Sequence, residues 1–232
     1  MGYKHNEVNG RKILCEQKHV VAAKITFLRT YLQFLNSCEN LTFVYLDETW
    51  IYQNGSSIRR WVHDTDLKSN PTKIKSEGSR FTILHAGCST GFLDGCNNFL
   101  NSKNNDRDYH KTMDGTIFQN WVVNQLIPAL AKLNQKCVVV SDNAPYHSVQ
   151  LDKPATFSSK KCEMQEWLFK HSFEFDKKFS KKQLWDLIKP FRNNRKKRYL
   201  IDETLKESGH EVLRLPPYHC RYNPVEMAWR FY

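Results

Sequence analysis

The run Cys137–Val140 limits the possible folds of this chain more than any other segment. Continuous β-branched residues without polar alternation are typical of a strand buried on both faces, as in the parallel part of a sheet. Ser141 and Asp142 follow at once, and Asn143–Tyr146 carries the Asn and Pro of a turn. Open α/β sheets place ligands and chemistry at the carboxyl ends of such strands, but Asp is also a common helix cap. This segment alone leaves both interpretations of Asp142 open.

Strand and helix patterns alternate along the rest of the chain. The apolar, β-prone segment Leu41–Trp50 predicts a second strand that carries Asp47, and Phe81–Ala86 predicts a third. Apolar residues at helical spacing predict a leading helix over Val20–Leu35 and another helix over about 113–133. Pro128 is expected to kink the second helix or to end its regular part.

The segments between these elements predict turns and loops. Asn54-Gly55 predicts a hairpin with a return through Ile58–Val62. The polar stretches Pro71–Ser79 and Leu93–Lys111 predict loops. Later in the chain, Ser180 and Gln183 have the spacing of a capping box that opens a helix.

Composition and charge indicate the kind of partner. The 232 residues are 40% hydrophobic, which suffices for a core, and carry a formal net charge of +11, which favours a polyanionic partner such as nucleic acid. No apolar run approaches the roughly 20 residues of a membrane span, and the N-terminus lacks the pattern of a secretory signal. Seven cysteines without a CxxC pair favour reduced thiols inside a cell over disulfides or zinc.

A basic segment lies between the central strand and the end of the chain. Residues 160–208 hold 14 Lys and Arg against 8 Asp and Glu. The candidate nucleic-acid-binding residues are Arg192, Arg195, Lys196, Lys197 and Arg198. A run of this kind is compatible with a solvated face, with phosphate contacts or with nuclear import. Gly209 ends this region, and Glu211–Leu215 predicts the last strand.

The segment after that strand predicts a helix start, with Asn223 as the cap and Pro224 at the first helical position. Glu226 then has two interpretations, a capping-box carboxylate that reaches back to Asn223 or a functional acid. The order of elements, with Asp47, Asp142 and Glu226 at these places, is that of an RNase H-like sheet that gathers three carboxylates. Hard oxygen ligands suit Mg²⁺ or Mn²⁺. Two such ions about 3.5–4 Å apart catalyse phosphoryl displacement.

Three ordered blocks of this sequence resemble the catalytic blocks of mariner-superfamily DDE transposases. They are YLDETW, VVSDNAPYHS and LPPYHCRYNPVEMAW, and FTILHAGC with TMDGTIFQNWVVNQLIPAL resembles the intervening strand and helix. The resemblance covers about residues 41–160 and 209–229. It implies that Asp47, Asp142 and Glu226 are the catalytic acids and bind two Mg²⁺ or Mn²⁺ ions, in DNA strand cleavage and joining. Asn143 and His147 match the second block as supporting residues, and His147 is expected to brace the loop rather than to transfer a proton. Glu48 should face the other side of its strand.

The sequence also departs from that family pattern. Asp142 and Glu226 are separated by 83 residues, and the excess is interpreted as a basic helical insertion at 160–208. His219-Cys220 replaces the Ser-Pro of many relatives, and the chain ends six residues after Glu226. Without a helix-turn-helix module at its front, the chain resembles a catalytic core or a truncated copy.

The sequence therefore predicts an α/β protein with an RNase H-like mixed sheet flanked by helices and a basic helical insertion before the last strand. The predicted domains are a leading helix and linker over 1–40 and a catalytic domain over 41–232. The predicted function is metal-dependent DNA cleavage and strand transfer in the nucleus, with DNA and a second transposase subunit as partners and no membrane association. Two alternatives stay open: a catalytically inactive, transposase-derived DNA-binding protein, and a structure-specific or RNA:DNA nuclease.

Overall fold

The computed structural model describes residues 3–8, 11–53, 65, 78–102, 113–194 and 197–229. It contains two compact units, one formed by Met1–Ser148 with Ile201–Tyr232 and one formed by Val149–Leu200. The division into residues 1–40, 41–232 and an insertion at 160–208 stays a prediction. The hairpin predicted at Asn54-Gly55 and most of the predicted loop at Pro71–Ser79 lie outside the described residues.

The strands and helices of the described residues alternate as expected for an α/β protein. The strands are β1 (Tyr3–Val8), β2 (Arg11–Glu16), β3 (Thr42–Tyr52), β4 (Arg80–Cys88), β5 (Gly91–Phe92), β6 (Asn98–Ser102), β7 (Cys137–Ser141) and β8 (Glu211–Arg214). The α-helices are α1 (Lys18–Leu35), α2 (Gly115–Trp121), α3 (Ile127–Ala131), α4 (Lys161–Lys170), α5 (Lys181–Asn194), α6 (Leu200–Glu207) and α7 (Val225–Ala228). In this described part of the chain no helix is long and apolar enough to cross a membrane.

Six of the strands form one mixed sheet in the first unit, and β1 and β2 form a separate antiparallel hairpin. In the large sheet β3 pairs with β4 antiparallel and with β7 parallel, and β8 continues the parallel side next to β7. Both β5 and β6 pair with β4 at the other side. Every residue of β7 is buried, as its unbroken apolar run predicts. The predicted mixed sheet is confirmed.

Helices cover both faces of this sheet. On one face α1 packs Phe27, with Tyr31 and Phe34, against a cluster that includes Val138 and Val140 of β7. On the opposite face α2, α3 and α6 pack around Val44 and Val139. The leading helix is confirmed, but the apolar stripe that predicts it is not its packed face. Leu32 and Leu35 are more than half exposed, and the neighbouring aromatic stripe packs on the sheet instead.

Two local predictions had different outcomes. The prediction of a loop over Leu93–Lys111 is wrong in part, because β6 forms within this segment and pairs with Arg80–Leu84 of β4. Phe99 is exposed and Leu100 packs on the core, so a short alternating pattern was hidden among polar residues.

The disturbance of the helix predicted at Pro128 is confirmed, since one π-helical turn, Val122–Leu126, precedes this proline. Proline clashes with the carbonyl four residues earlier, and a wider turn relieves that clash.

The second unit has a hydrophobic core of its own. Its helices α4 and α5 enclose Met164, Trp167, Leu168, Leu184 and Ile188. The predicted capping box before α5 is confirmed, because the backbone N–H of Ser180 donates to Gln183 Oε1 at 2.8 Å.

The two ends of the second unit pair with each other in a short neck. Gln150 and Tyr199 form an antiparallel bridge. On either side of it, the Leu151 N–H donates to the Arg198 carbonyl at 3.0 Å and the Leu200 N–H donates to the Val149 carbonyl at 2.9 Å. The chain therefore enters and leaves this unit at one place.

Candidate active site

The register of the parallel strands places Asp47 and Asp142 at matching positions. The pairing of β3 with β7 ends at Tyr45 and Val140, and each aspartate lies two residues beyond the end of that pairing. Neighbouring strands are about 4.8 Å apart, so the two acids lie side by side at the carboxyl edge of the parallel strands. On its other side Asp47 lies opposite His85 of β4.

The helix that carries Glu226 is attached to β3 by one buried side chain. Asn223 is 2% exposed, and its Nδ2 donates to the Leu46 carbonyl at 2.9 Å, next to Asp47. The prediction that the Asn223 side chain caps this helix is wrong, since α7 has no side-chain cap. Glu226 therefore does not form a capping box. It lies exposed on the first turn of α7.

The electrostatics of Asp47 indicate that the three predicted acids are close together. Burial raises the pKa of Asp47 to about 8, and the negative charges of Glu48, Glu226 and Asp142 contribute to this rise. A hydrogen bond from the Glu48 backbone opposes it. The carboxylates of Glu226 and Asp142 are thus near enough to repel that of Asp47. Their catalytic roles stay a prediction.

A buried histidine links Asp142 to Glu48. His147 is 1% exposed, and its two ring nitrogens lie 2.5 Å from Asp142 Oδ1 and 3.0 Å from Glu48 Oε1. The backbone N–H of Ala144 donates to the same Asp142 oxygen at 3.0 Å. Glu48 has the strand parity of the buried residues Val44 and Leu46, opposite to Asp47. Its charge nevertheless raises the pKa of Asp47 more than the charges of Glu226 and Asp142 do. Because Oδ1 makes both contacts, Asp142 can present Oδ2 to a ligand.

The charges of this bridge fix its protonation. Burial lowers the pKa of His147, but the charge of Glu48 and the contact with Asp142 outweigh burial and raise it to about 9. Burial alone would raise the pKa of Asp142, and the hydrogen bond and charge of His147 hold it below its ordinary value. At neutral pH His147 is therefore an imidazolium that lies between Asp142 and Glu48.

Replacing Glu48 with Gln is expected to lower the pKa of His147, because the charge of Glu48 is the largest cause that raises it. The titration midpoint of the His147 ring, followed by NMR in EDTA, should fall by about 1–3 pH units. Its resonances are assigned by their loss in His147→Gln. Glu39→Gln, which removes an exposed carboxylate paired with Lys136, is the control and should leave the midpoint in place. An unchanged midpoint in Glu48→Gln would contradict this account of the bridge.

Further contacts hold the loop that follows Asp142. Asn143 Nδ2 donates to the Leu215 carbonyl at 2.6 Å, and the supporting role of Asn143 stays a prediction. Arg214, at the end of β8, makes a two-pronged ion pair with Asp202, with nitrogen–oxygen distances of 2.9 and 2.7 Å. The same guanidinium donates to the His147 carbonyl at 2.8 Å. Sequence reasoning missed Arg214, because a single Arg after a short strand gives no signal of its partners.

The predicted nucleic-acid-binding residues belong to the second unit. Arg192 is exposed on α5, and Lys197 and Arg198 are exposed beyond it. Arg195 and Lys196 lie outside the described residues.

The donor set has the right chemistry for a hard divalent cation. Asp47, Asp142 and Glu226 offer carboxylate oxygens. The raised pKa of Asp47 is due first to burial and then to neighbouring negative charge that a cation would compensate. Within the ranges that the structure describes, however, no three His, Cys, Asp or Glu side chains are close enough to hold a metal ion. The three acids are neighbours but do not form a closed ligand group.

Comparison with known proteins supports the fold. No protein-family model and no curated protein matches the sequence. A pre-cleavage Mos1 transpososome is similar in structure, with a TM-score of 0.50 and 14% identity over 97% of this chain and 53% of that chain. The Mos1 strand transfer complex aligns with a TM-score of 0.43 and 13% identity over 97% of this chain and 52% of that chain. A Mos1 mariner paired end complex with Mn aligns with a TM-score of 0.40 and 14% identity over 93% of this chain and 56% of that chain.

The likeness to the pre-cleavage transpososome defines the class of fold. The chain has a mariner-like transposase fold, a mixed sheet flanked by helices. It spans about half of the length of the Mos1 chain that it matches.

Proposed function

We propose that this chain is the core of a DDE-type transposase or endonuclease that cleaves DNA and transfers the cut strand. One observation carries the proposal. Asp47 and Asp142 lie in matching register at the carboxyl edge of the parallel strands, and Glu226 is close enough to raise the pKa of Asp47. A phosphoryl-transfer site of this class needs carboxylates in that arrangement. The similar structures are of transposase complexes, including a pre-cleavage and a strand transfer complex.

In this proposal Asp47, Asp142 and Glu226 hold Mg²⁺ or Mn²⁺, with two ions at the site. The metal ions would activate the attacking oxygen and stabilise the leaving oxygen of the phosphodiester. Complexes of Mos1 with Mn and with Mg support this choice of metal. The formal charge of +11 favours DNA as the substrate. A second copy of the chain, as in paired end complexes, and a nuclear location belong to the same proposal.

The remaining residues of the site position the acids. His147 holds one oxygen of Asp142 and is held in turn by Glu48. Asn223 attaches the turn before Glu226 to the backbone of Leu46. These contacts orient the carboxylates before DNA or metal arrives, and such preorganisation is a large part of catalytic power.

Nicking of supercoiled plasmid tests the proposal. The wild-type chain is expected to nick the plasmid with Mg²⁺ or Mn²⁺ and to leave it intact in EDTA. Asp142→Asn should be inactive, which excludes a contaminating nuclease, and Asp94→Asn should nick as the wild type does. Asp94 is the matched control because it is an exposed aspartate in the turn after β5. Nicking that persists in EDTA or in Asp142→Asn would refute the proposal.

A second function, DNA binding without catalysis, is favoured by a different observation. Glu226 is exposed on a helix of four residues, and the acids of the described residues do not enclose a metal site. Short helices depend on tertiary contacts, so a poorly aimed Glu226 would leave the site idle. Salt-sensitive DNA binding without any metal-dependent nicking would select this function over the first.

A further inference from the structure

A basic pocket lies at the base of the second unit. It has a volume of about 120 Å³ and is lined by residues on both sides of the neck. The cationic side chains around it are Lys153, Arg192, Lys197 and Arg198, all exposed. Val149–Leu200 as a whole carries 14 Lys and Arg against 6 Asp and Glu, a net charge of +8 out of the +11 of the chain.

The one acid that lines this pocket is already engaged. Asp152 Oδ2 lies 2.6 Å from His171 Nε2, and its Oδ1 lies 3.2 Å from Lys170 Nζ. Lys153 and Lys197, in contrast, make no ion pair with any residue that the structure describes. The pocket therefore has an excess of positive charge around a space of several water volumes. Its size and charge fit one phosphate group.

An aromatic pair lies on the same unit. Phe157 is 56% exposed, and its ring meets Trp185 edge-on, with centroids 6.1 Å apart. Lys181 Nζ lies 5.7 Å from the centre of the Phe157 ring, and the Arg192 guanidinium lies 6.0 Å from that of Trp185. Arg192 thus belongs both to the phosphate-sized pocket and to the aromatic pair.

We propose that the second unit binds a nucleotide of an unpaired DNA strand. The phosphate occupies the basic pocket, and the base stacks on Phe157 beside Trp185, with Arg192 between the two subsites. Aromatic platforms next to a positive groove are the usual means of holding single strands without sequence preference. A duplex keeps its bases stacked inside and offers only phosphates, so Phe157 contributes to the binding of single strands alone. The inference rests on the proposed function in taking DNA as the ligand, and it assigns an unpaired strand to a site outside the three acids.

The test is binding of fluorescein-labelled 20-nucleotide oligodeoxythymidine and of a 20-base-pair duplex by the 232-residue chain in EDTA. Phe157→Ala is expected to weaken single-strand binding by about 5-fold or more, which is the contribution of stacking one base on an aromatic ring. It should leave duplex binding unchanged. Phe157→Trp should retain the affinity. The double variant Lys153→Ala/Lys197→Ala should weaken the binding of both the single strand and the duplex. It should also make single-strand binding less sensitive to salt: the slope of log affinity against log salt concentration should fall by about 0.7 for each phosphate that is no longer neutralised.

Two control variants match these changes in the same unit. Phe169→Ala removes a ring that is 80% exposed, and Lys178→Ala removes an exposed cation outside the pocket. Equal effects of Phe157→Ala and Phe169→Ala on single-strand binding would overturn the inference, as would an equal loss of duplex binding in Phe157→Ala. Because these measurements are made without metal, they are independent of cleavage. A chain that nicks plasmid but fails them retains its proposed function and loses only this inference.

Discussion

Asp47→Asn is expected to abolish metal-dependent nicking while making the metal-free protein more stable. The loss of nicking should be about 10³-fold or more, since the variant lacks one of three carboxylates proposed to hold the metals. Stability should rise because Asp47 is an acid whose ionised form is disfavoured by burial and by its acidic neighbours. A neutral amide of nearly the same shape avoids that cost. A gain of about 1 kcal/mol corresponds to a rise of about 2–4 °C in Tm for a chain of this size.

The pH dependence of this gain has a definite sign. The pKa of Asp47 is about 8 in the folded protein against an ordinary value of 3.8, so the folded state holds a proton that the unfolded state has lost. This group therefore lowers the stability of the wild type as pH rises from about 4 to about 8. The advantage of Asp47→Asn should be small near pH 4 and should grow up to about pH 8.

Thermal unfolding with and without Mg²⁺ provides the measurement. In EDTA Asp47→Asn should melt above the wild type at pH 8. With Mg²⁺ the wild type should gain stability through ligand binding, and the variant should gain little. Asp94→Asn, an exposed aspartate, should behave like the wild type in both conditions. A variant that melts lower than the wild type in EDTA at pH 8 would show that the Asp47 carboxylate is not repelled by its neighbours.

Arg214→Met is expected to cause the largest loss of stability among single changes near the site. Arg214 and Asp202 are each 15% exposed at their side chains, and the arginine also donates to the loop after Asp142. Removing one partner of such a pair leaves a buried charge uncompensated, which costs about 3–5 kcal/mol when burial is complete. Taking the lower end for this partly exposed pair, Tm should fall by about 6–12 °C. Nicking should fall as well, because the loop that orients Asp142 loses a support.

A double-mutant cycle separates the pair from the loop contacts. Asp202→Asn added to Arg214→Met should recover part of the lost stability, since it removes the unpaired charge. It should not recover nicking, because the donor to the His147 carbonyl is still missing. Arg29→Met, at an exposed position of α1, is the control and should change Tm little. If Arg214→Met lowered Tm no more than this control does, the claim that the Arg214–Asp202 ion pair stabilises the fold would be refuted.

The positions of the acids show what the sequence could and could not predict. The place of Asp142 at a strand end was predictable because the apolar run Cys137–Val140 lies just before Ser141 and Asp142, and that of Asp47 because the run Phe43–Leu46 precedes it. The bridge through His147 was not, since its partner Glu48 is 99 residues away and depends on the register of β3 with β7. Local rules favoured Asn223 as a helix cap, but its amide donates to the Leu46 carbonyl. A buried backbone oxygen that needs a donor outweighed the local preference there.

The neck at Gln150 and Tyr199 makes the second unit a separable module. Because its two ends are joined by backbone hydrogen bonds, the span that it must bridge does not depend on the number of residues inserted there. The entropic cost of closing a loop grows only slowly with its length. Backbone pairing between the two ends of the unit removes even that dependence. Insertions of very different size can therefore occupy this point of the chain without a change in the strands that carry Asp142 and precede Glu226. Comparing acid spacings alone would place such proteins in different groups, whereas their sheets would be the same.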